Sequence, residues 1–190
     1  ADGMGIAQSA AARLAAYGPD GRFVFDRFPV VALTATDAMG ALVTDSAAAA
    51  TALGAGVKTR PGALGMDAEG RPVRSILEAA RDAGFATGLV TSSEIHDATP
   101  AAFAVHYPKR EPRAEIALQL AGARVDLLAG GGREQFVPAV AGGRRLDGRN
   151  LLDEARARGV TVTESLQELA AADRLPLWAL FPGRLEGVRG

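Results

Sequence analysis

An α/β fold with a largely parallel central sheet, layered as an α/β/α sandwich, is what this chain of 190 residues predicts. Two observations lead there. From Arg74 onward, helix-like and strand-like runs alternate, which is the layout of βαβ units. Apolar residues make up 48% of the chain and charged residues 23%, enough to bury a core and too ordinary in charge for disorder. At this length a single domain over residues 1–190 accounts for the chain.

Each element has its own signal. Over residues 6–17, Ile6, Ala10, Leu14 and Tyr17 fall near one face of a helix. Residues 28–36 (FPVVALTAT) are apolar and β-branched, the pattern of a strand. The alanine-rich run after Ser46 favours a helix. Thr44, Asp45 and Ser46 stand where short polar side chains cap free N–H groups, and Gly54 and Gly56 supply stop signals. Residues 65–73, centred on Ala68-Glu69-Gly70, read as a small hairpin. Residues 74–84 form an amphipathic helix with Ile76, Leu77 and Ala80 inward, and 85–91 a buried strand. Thr99 is expected to cap a short helix that Pro100 begins and residues 101–106 continue. Helices over 114–123, 151–159 and 166–172 alternate with strands over 124–129, 160–163 and 177–181. Residues 144–150 read as a polar loop. Gly130-Gly131-Gly132 matches no phosphate-loop spacing and no Lys-Ser/Thr follows, so it reads as a structural turn.

Composition excludes several classes of function. A net charge of −1 provides no basic field for nucleic acid. The absence of cysteine removes disulfides and thiolate metal sites. No stretch approaches the length of a membrane span, and no signal peptide is visible. The chain opens on Ala1-Asp2-Gly3-Met4-Gly5, which looks like the middle of a motif.

Candidate chemistry concentrates in three places. Ser46 begins a helix, where free N–H groups and the macrodipole favour an anion, although an ordinary capped helix explains the same residues. Asp97 and Thr99 follow a strand end, where open α/β sheets place their ligands, and offer hard oxygens suited to Mg²⁺. Residues 107–113 carry Lys109, Arg110 and Arg113, a cluster that could simply be solvated. His96 and His106, the two histidines, read as structural.

The run VTDSAAAATALGAGVKTRPGALGMD over residues 43–67 closely resembles the nucleophile segment of alkaline phosphatases. The Asp-Ala-Thr-Pro-Ala of residues 97–101 resembles their bacterial magnesium-site motif, and Asp2-Gly3-Met4-Gly5 a metal-bridging segment at the end of their first core strand. The resemblance implies a phosphoric monoester hydrolase of bacterial type. Ser46 is then the nucleophile that becomes phosphorylated, and a metal-bound water hydrolyses the phosphoserine. Asp2, Asp97 and Thr99 become metal ligands, and Arg110 clamps phosphate oxygens, with Lys109 and Arg113 as runners-up. It further implies two zinc ions and one magnesium ion, small phosphate monoesters as substrates, a homodimer, and a periplasmic or secreted location.

In the family the remaining zinc ligands lie beyond the equivalent of residue 190, and no aspartate–histidine cluster with that spacing occurs over residues 113–190. The chain therefore reads as an N-terminal fragment of an alkaline phosphatase, lacking the first strand and the C-terminal metal ligands, and inactive alone. A related phosphodiesterase or sulfatase-like metallohydrolase, or a non-catalytic module derived from the fold, is the alternative.

Overall fold

The computed structural model describes residues 3–32 and 34–185. Two compact units divide at Thr36. The first holds helix α1 (Ile6–Tyr17), which ends on Gly18 at φ 73°, with Gly18 N–H donating to the Leu14 carbonyl, and a short 3-10 turn at Val24–Arg27. None of its described residues is buried. The strand expected over 28–36 does not form among the described residues there: Phe28, Val30 and Val31 are exposed, and no neighbouring strand takes their backbone groups. Apolar, β-branched composition suits a strand, but a ladder needs a partner.

The second unit is a four-stranded parallel sheet flanked by helices. In chain order it contains α2 (Ser46–Ala55), α3 (Ile76–Asp82), β1 (Gly88–Glu94), α4 (Ala98–Ala101), α5 (Arg113–Gly122), β2 (Leu127–Gly131), α6 (Leu151–Ala157), β3 (Thr161–Thr163), α7 (Leu166–Ala171) and β4 (Leu177–Leu180). The sheet order is β1-β2-β4-β3, so β2 and β4 are central and β1 is an edge. Alternate side chains leave opposite faces. Leu128, Trp178 and Leu180 join Ile116, Leu120, Leu151 and Leu152 in the main core. Ala129, Ala179 and Phe181 point the other way, towards Leu169 of α7.

Over β1 that second face is bare. Leu89 is buried, but Val90 is 71% exposed and Phe85 also faces solvent, so the strand expected to be buried is covered on one side only. Ile76, expected inward on α3, is likewise exposed, while Leu77 is buried. The start of α3 is set by a reciprocal cap: Ser75 Oγ accepts from Glu78 N–H, and the Glu78 carboxylate accepts from Ser75 N–H.

The predicted hairpin at 65–73 exists as a tight turn with Gly70 at φ 81°, held by Asp67 N–H donating to the Arg71 carbonyl. The glycine run that closes β2 is structural. A Cβ on Gly131 would lie 1.8 Å from the Gly183 carbonyl oxygen, and Gly132 takes φ 82°, which favours glycine. No helix among the described residues is long and apolar enough to cross a membrane.

Candidate functional site

Helix α2 begins at Ser46 because Asp45 caps it: Asp45 Oδ1 accepts from Ala48 N–H at 3.0 Å. Its C-terminus stops at Gly56, which adopts φ 72°. Small residues let the helix sit deep in the fold. A Cβ on Gly54 would meet the Phe103 ring at 3.1 Å, and Ala47, Ala48, Ala50 and Thr51 are buried. Thr51 Oγ1 donates to the Ala63 carbonyl and accepts from Gly65 N–H, which ties the helix to the following loop. Ser46, its first residue, is half-buried.

Asp45 does more than cap. Its Oδ2 accepts from Gly62 N–H at 3.1 Å and from Arg110 Nη1 at 3.3 Å. Arg110 reaches this point because Leu64 and Tyr107 exchange both backbone hydrogen bonds, at 2.8 and 2.9 Å, pinning the loop ahead of the arginine against the loop that carries Gly62.

The other arm of Arg110 donates from Nη2 to Asp97 Oδ1 at 2.9 Å. Asp97 follows the C-terminal end of β1 and is itself the cap of α4, accepting from Ala98 N–H. The cap expected at Thr99 is therefore two residues earlier, and α4 spans Ala98–Ala101, shorter than the helix expected through residue 106. Ser93 Oγ–H donates to Asp97 Oδ2 at 3.1 Å. One guanidinium thus spans the carboxylate beside Ser46 and the carboxylate beyond β1.

The electrostatics agree with this geometry. Partial burial raises the pKa of Asp45, but the N–H groups of Ala48 and Gly62 together with Arg110 outweigh it, so the carboxyl lies below its usual value. For Asp97 burial again raises, and Ala98 N–H, Ser93 and Arg110 bring the net shift down. Both are carboxylates at neutral pH.

The remaining sequence candidates separate. Lys109 is exposed, and Arg113 Nη1 donates to Glu94 at 3.0 Å, so Arg110 is the cation of that cluster that meets Asp45 and Asp97. Thr99 lies two residues past Asp97 and lines an open groove of about 490 Å³ with Ile76, Val90 and Phe103. Asp2 lies outside the described residues. His106 is structural, bridging the Gly65 carbonyl and Glu78 Oε1. His96 is 1% exposed and held neutral by burial, with Gly132 packed so closely on its ring that a Cβ would stand 2.5 Å from it.

Among the described residues no three histidine, aspartate or glutamate side chains converge into a metal centre. Asp97 brings one carboxylate, fewer hard donors than Mg²⁺ or Zn²⁺ needs. The described residues alone do not fit either ion.

Asp45 is the residue that reading for function missed. Its place in Thr44-Asp45-Ser46 signals a cap, but nothing local signals a partner 65 positions away.

The alkaline phosphatase family model matches residues 1–184. The alkaline phosphatase of Escherichia fergusonii is 37% identical over 95% of this chain and 44% of its own length. A cold-active alkaline phosphatase from a psychrophilic Shewanella superposes with a TM-score of 0.86 at 33% identity, over 98% of this chain and 46% of that one. A histidine-to-aspartate variant of the TAB5 alkaline phosphatase, solved with magnesium bound, gives a TM-score of 0.81 at 29% identity, over 96% of this chain and 51% of that one. The chain spans less than half the length of the curated relatives it matches.

Proposed function

Because the chain belongs to the alkaline phosphatase family, we propose that it contributes the nucleophile and phosphate-binding half of a phosphate monoesterase. The observation that carries this reading is the fork of Arg110 between Asp45 and Asp97 at the C-terminal rim of the sheet, with Ser46 next in sequence to Asp45.

In this reading Ser46 Oγ attacks phosphorus, the Oγ–P bond forms, the bond from phosphorus to the ester oxygen breaks, and the alcohol leaves. Water then cleaves the phosphoserine and regenerates Ser46. The N-terminus of α2 favours the negative charge of the phosphoryl group. Arg110 has five N–H donors, and only two are engaged with Asp45 and Asp97, so others are available to phosphoryl oxygens. Asp45 and Asp97 act as positioning residues by fixing the plane of that guanidinium.

Two zinc ions and a magnesium ion complete the reading. If bound, they would lower the pKa of a nucleophile and neutralise charge developing on the oxygens around phosphorus. Asp97 and Thr99, with Asp2, contribute ligands, and the rest come from polypeptide outside this chain. The magnesium bound in the TAB5 aspartate variant supports a metal-dependent site in this family. A homodimer in the periplasm or outside the cell belongs to the same proposal.

The test is Ser46→Ala in the complete protein. We expect turnover of a chromogenic phosphate monoester to fall by orders of magnitude and phosphoserine trapped at low pH to disappear. Normal phosphoserine formation in the variant would remove Ser46 from the role. Residues 1–190 alone, assayed with both metals, are expected to lack turnover. Activity within tenfold of the complete protein, a gap of about 1.4 kcal/mol, would show a complete site here.

A further inference from the structure

His106 stands where the two loops around the Arg110 guanidinium are joined. Its Nδ1 lies 2.6 Å from the Gly65 carbonyl oxygen, and its Nε2 lies 3.1 Å from Glu78 Oε1 on α3. Gly65 takes φ 56°, and a Cβ there would lie 2.3 Å from the Val105 carbonyl oxygen and 2.8 Å from Nδ1, so this approach needs glycine. On its other side, Gly65 N–H donates to Thr51 Oγ1 of α2 at 2.9 Å. The backbone of His106 is held separately by α5. Its N–H donates to Gln119 Oε1 at 3.0 Å, and its carbonyl accepts from Gln119 Nε2 at 3.2 Å.

Neither partner of the ring is a donor. A carbonyl oxygen only accepts, and so does an ionised carboxylate. Partial burial raises the pKa of Glu78, but Ser75 N–H and His106, with Arg81 on the same helix, outweigh it and leave the carboxyl below its usual value. The ring therefore faces the Glu78 carboxylate of α3 and the Gly65 carbonyl of the loop, while α5 offers the neutral Gln119 to its backbone. Both ring contacts are hydrogen bonds only when both nitrogens carry a hydrogen.

The residue after His106, Tyr107, exchanges both backbone hydrogen bonds with Leu64, and Arg110 follows three residues later. Three residues before Gly65, Gly62 N–H shares Asp45 Oδ2 with Arg110 Nη1. The two loops thus form a closed circuit, with His106 and Gly65 at one end and Arg110, Gly62 and Asp45 at the other.

Resting on the phosphomonoesterase reading above, we infer that His106 is a positioning residue. Protonated on both nitrogens, it ties Gly65 to α3 and so fixes the loop from which Arg110 reaches Asp45 and phosphate. Loss of one ring proton releases one of the two contacts and loosens that loop.

The experiment uses inorganic phosphate as a competitive inhibitor of the complete protein. Arg110→Ala is expected to weaken inhibition by roughly tenfold or more, and His106→Gln by roughly fivefold, the scale of one hydrogen bond. In the Arg110→Ala background, His106→Gln is expected to change inhibition by less than about twofold, because the histidine acts through the arginine. The gap between the unmodified protein and His106→Gln should narrow as pH rises through the range in which imidazole titrates. Glu78→Gln reads the same contact from the other partner and leaves the ring in place. It is expected to weaken inhibition by about twofold, again only while Arg110 is present. Equal effects of His106→Gln with and without Arg110, a gap that does not change with pH, or unchanged inhibition in Glu78→Gln overturns the inference and leaves the phosphomonoesterase reading intact. Phosphate inhibition unaltered by Arg110→Ala defeats the role of Arg110 in that reading, and this inference with it.

Discussion

Residues up to Thr36 and residues from Asp37 onward both carry apolar side chains in regular patterns, but among the described residues only the second group buries them. Helix α1 has no buried residue, and Val31 is 86% exposed, whereas Leu120 and Leu128 of the sheet unit are fully buried. A helix satisfies its backbone within its own turns, so α1 forms from local signals without a core around it. A strand borrows its partners, and residues 28–36 have none among the described residues. Local pattern therefore predicts helices well in both units, and predicts strands only where the fold provides a neighbour.

The sharpest way to break this contrast is a pair of truncations. Leu128→Ala opens a cavity in the main core and is expected to cost about 2–5 kcal/mol, while Val31→Ala should stay within about 0.5 kcal/mol. Urea unfolding of both variants measures the difference, and equal costs would mean that the first unit also holds a core.

Next comes a backbone test. Gly132→Ala places a side chain at positive φ and against the His96 ring, for a loss of roughly 1–3 kcal/mol. Gly142→Ala, at a matching left-handed conformation (φ 80°) but with open space around it, should cost less. Thermal unfolding of the two variants gives the ranking.

A smaller effect is expected at the site. Asp45→Ala removes the acceptor of Ala48 N–H, Gly62 N–H and Arg110, and should cost about 1–2 kcal/mol. Hydrogen exchange should show the loss confined to α2 and its adjoining loops. Unaltered protection there would show that packing of the small residues alone holds the helix.

The smallest effect is in pH. The folded pKa values of Asp45 and Asp97 are depressed, so the stability they add is present above their unfolded pKa of about 3.9. It is lost as pH falls below that value through the lowered folded ones. Urea midpoints should therefore stay level from about pH 7 to 5 and drop below about 4. A decline that begins near pH 6 would point to another group.

The sequence by itself determined the helices, the alternation that makes a parallel sheet, the capped start at Ser46 and the motifs that join this chain to its family. These depend on neighbours within a few residues, where side-chain spacing and capping act directly. Only the tertiary structure decided that Asp97 rather than Thr99 caps α4, and that Arg110 rather than Lys109 or Arg113 joins Asp97 to Asp45. It also left β1 bare on one face and brought Arg184 from beyond β4 to the rim. Each of these follows from strands and loops far apart in the chain competing for a limited set of hydrogen-bond partners and core positions. That competition is settled by sheet order and close glycine contacts, which local pattern does not encode.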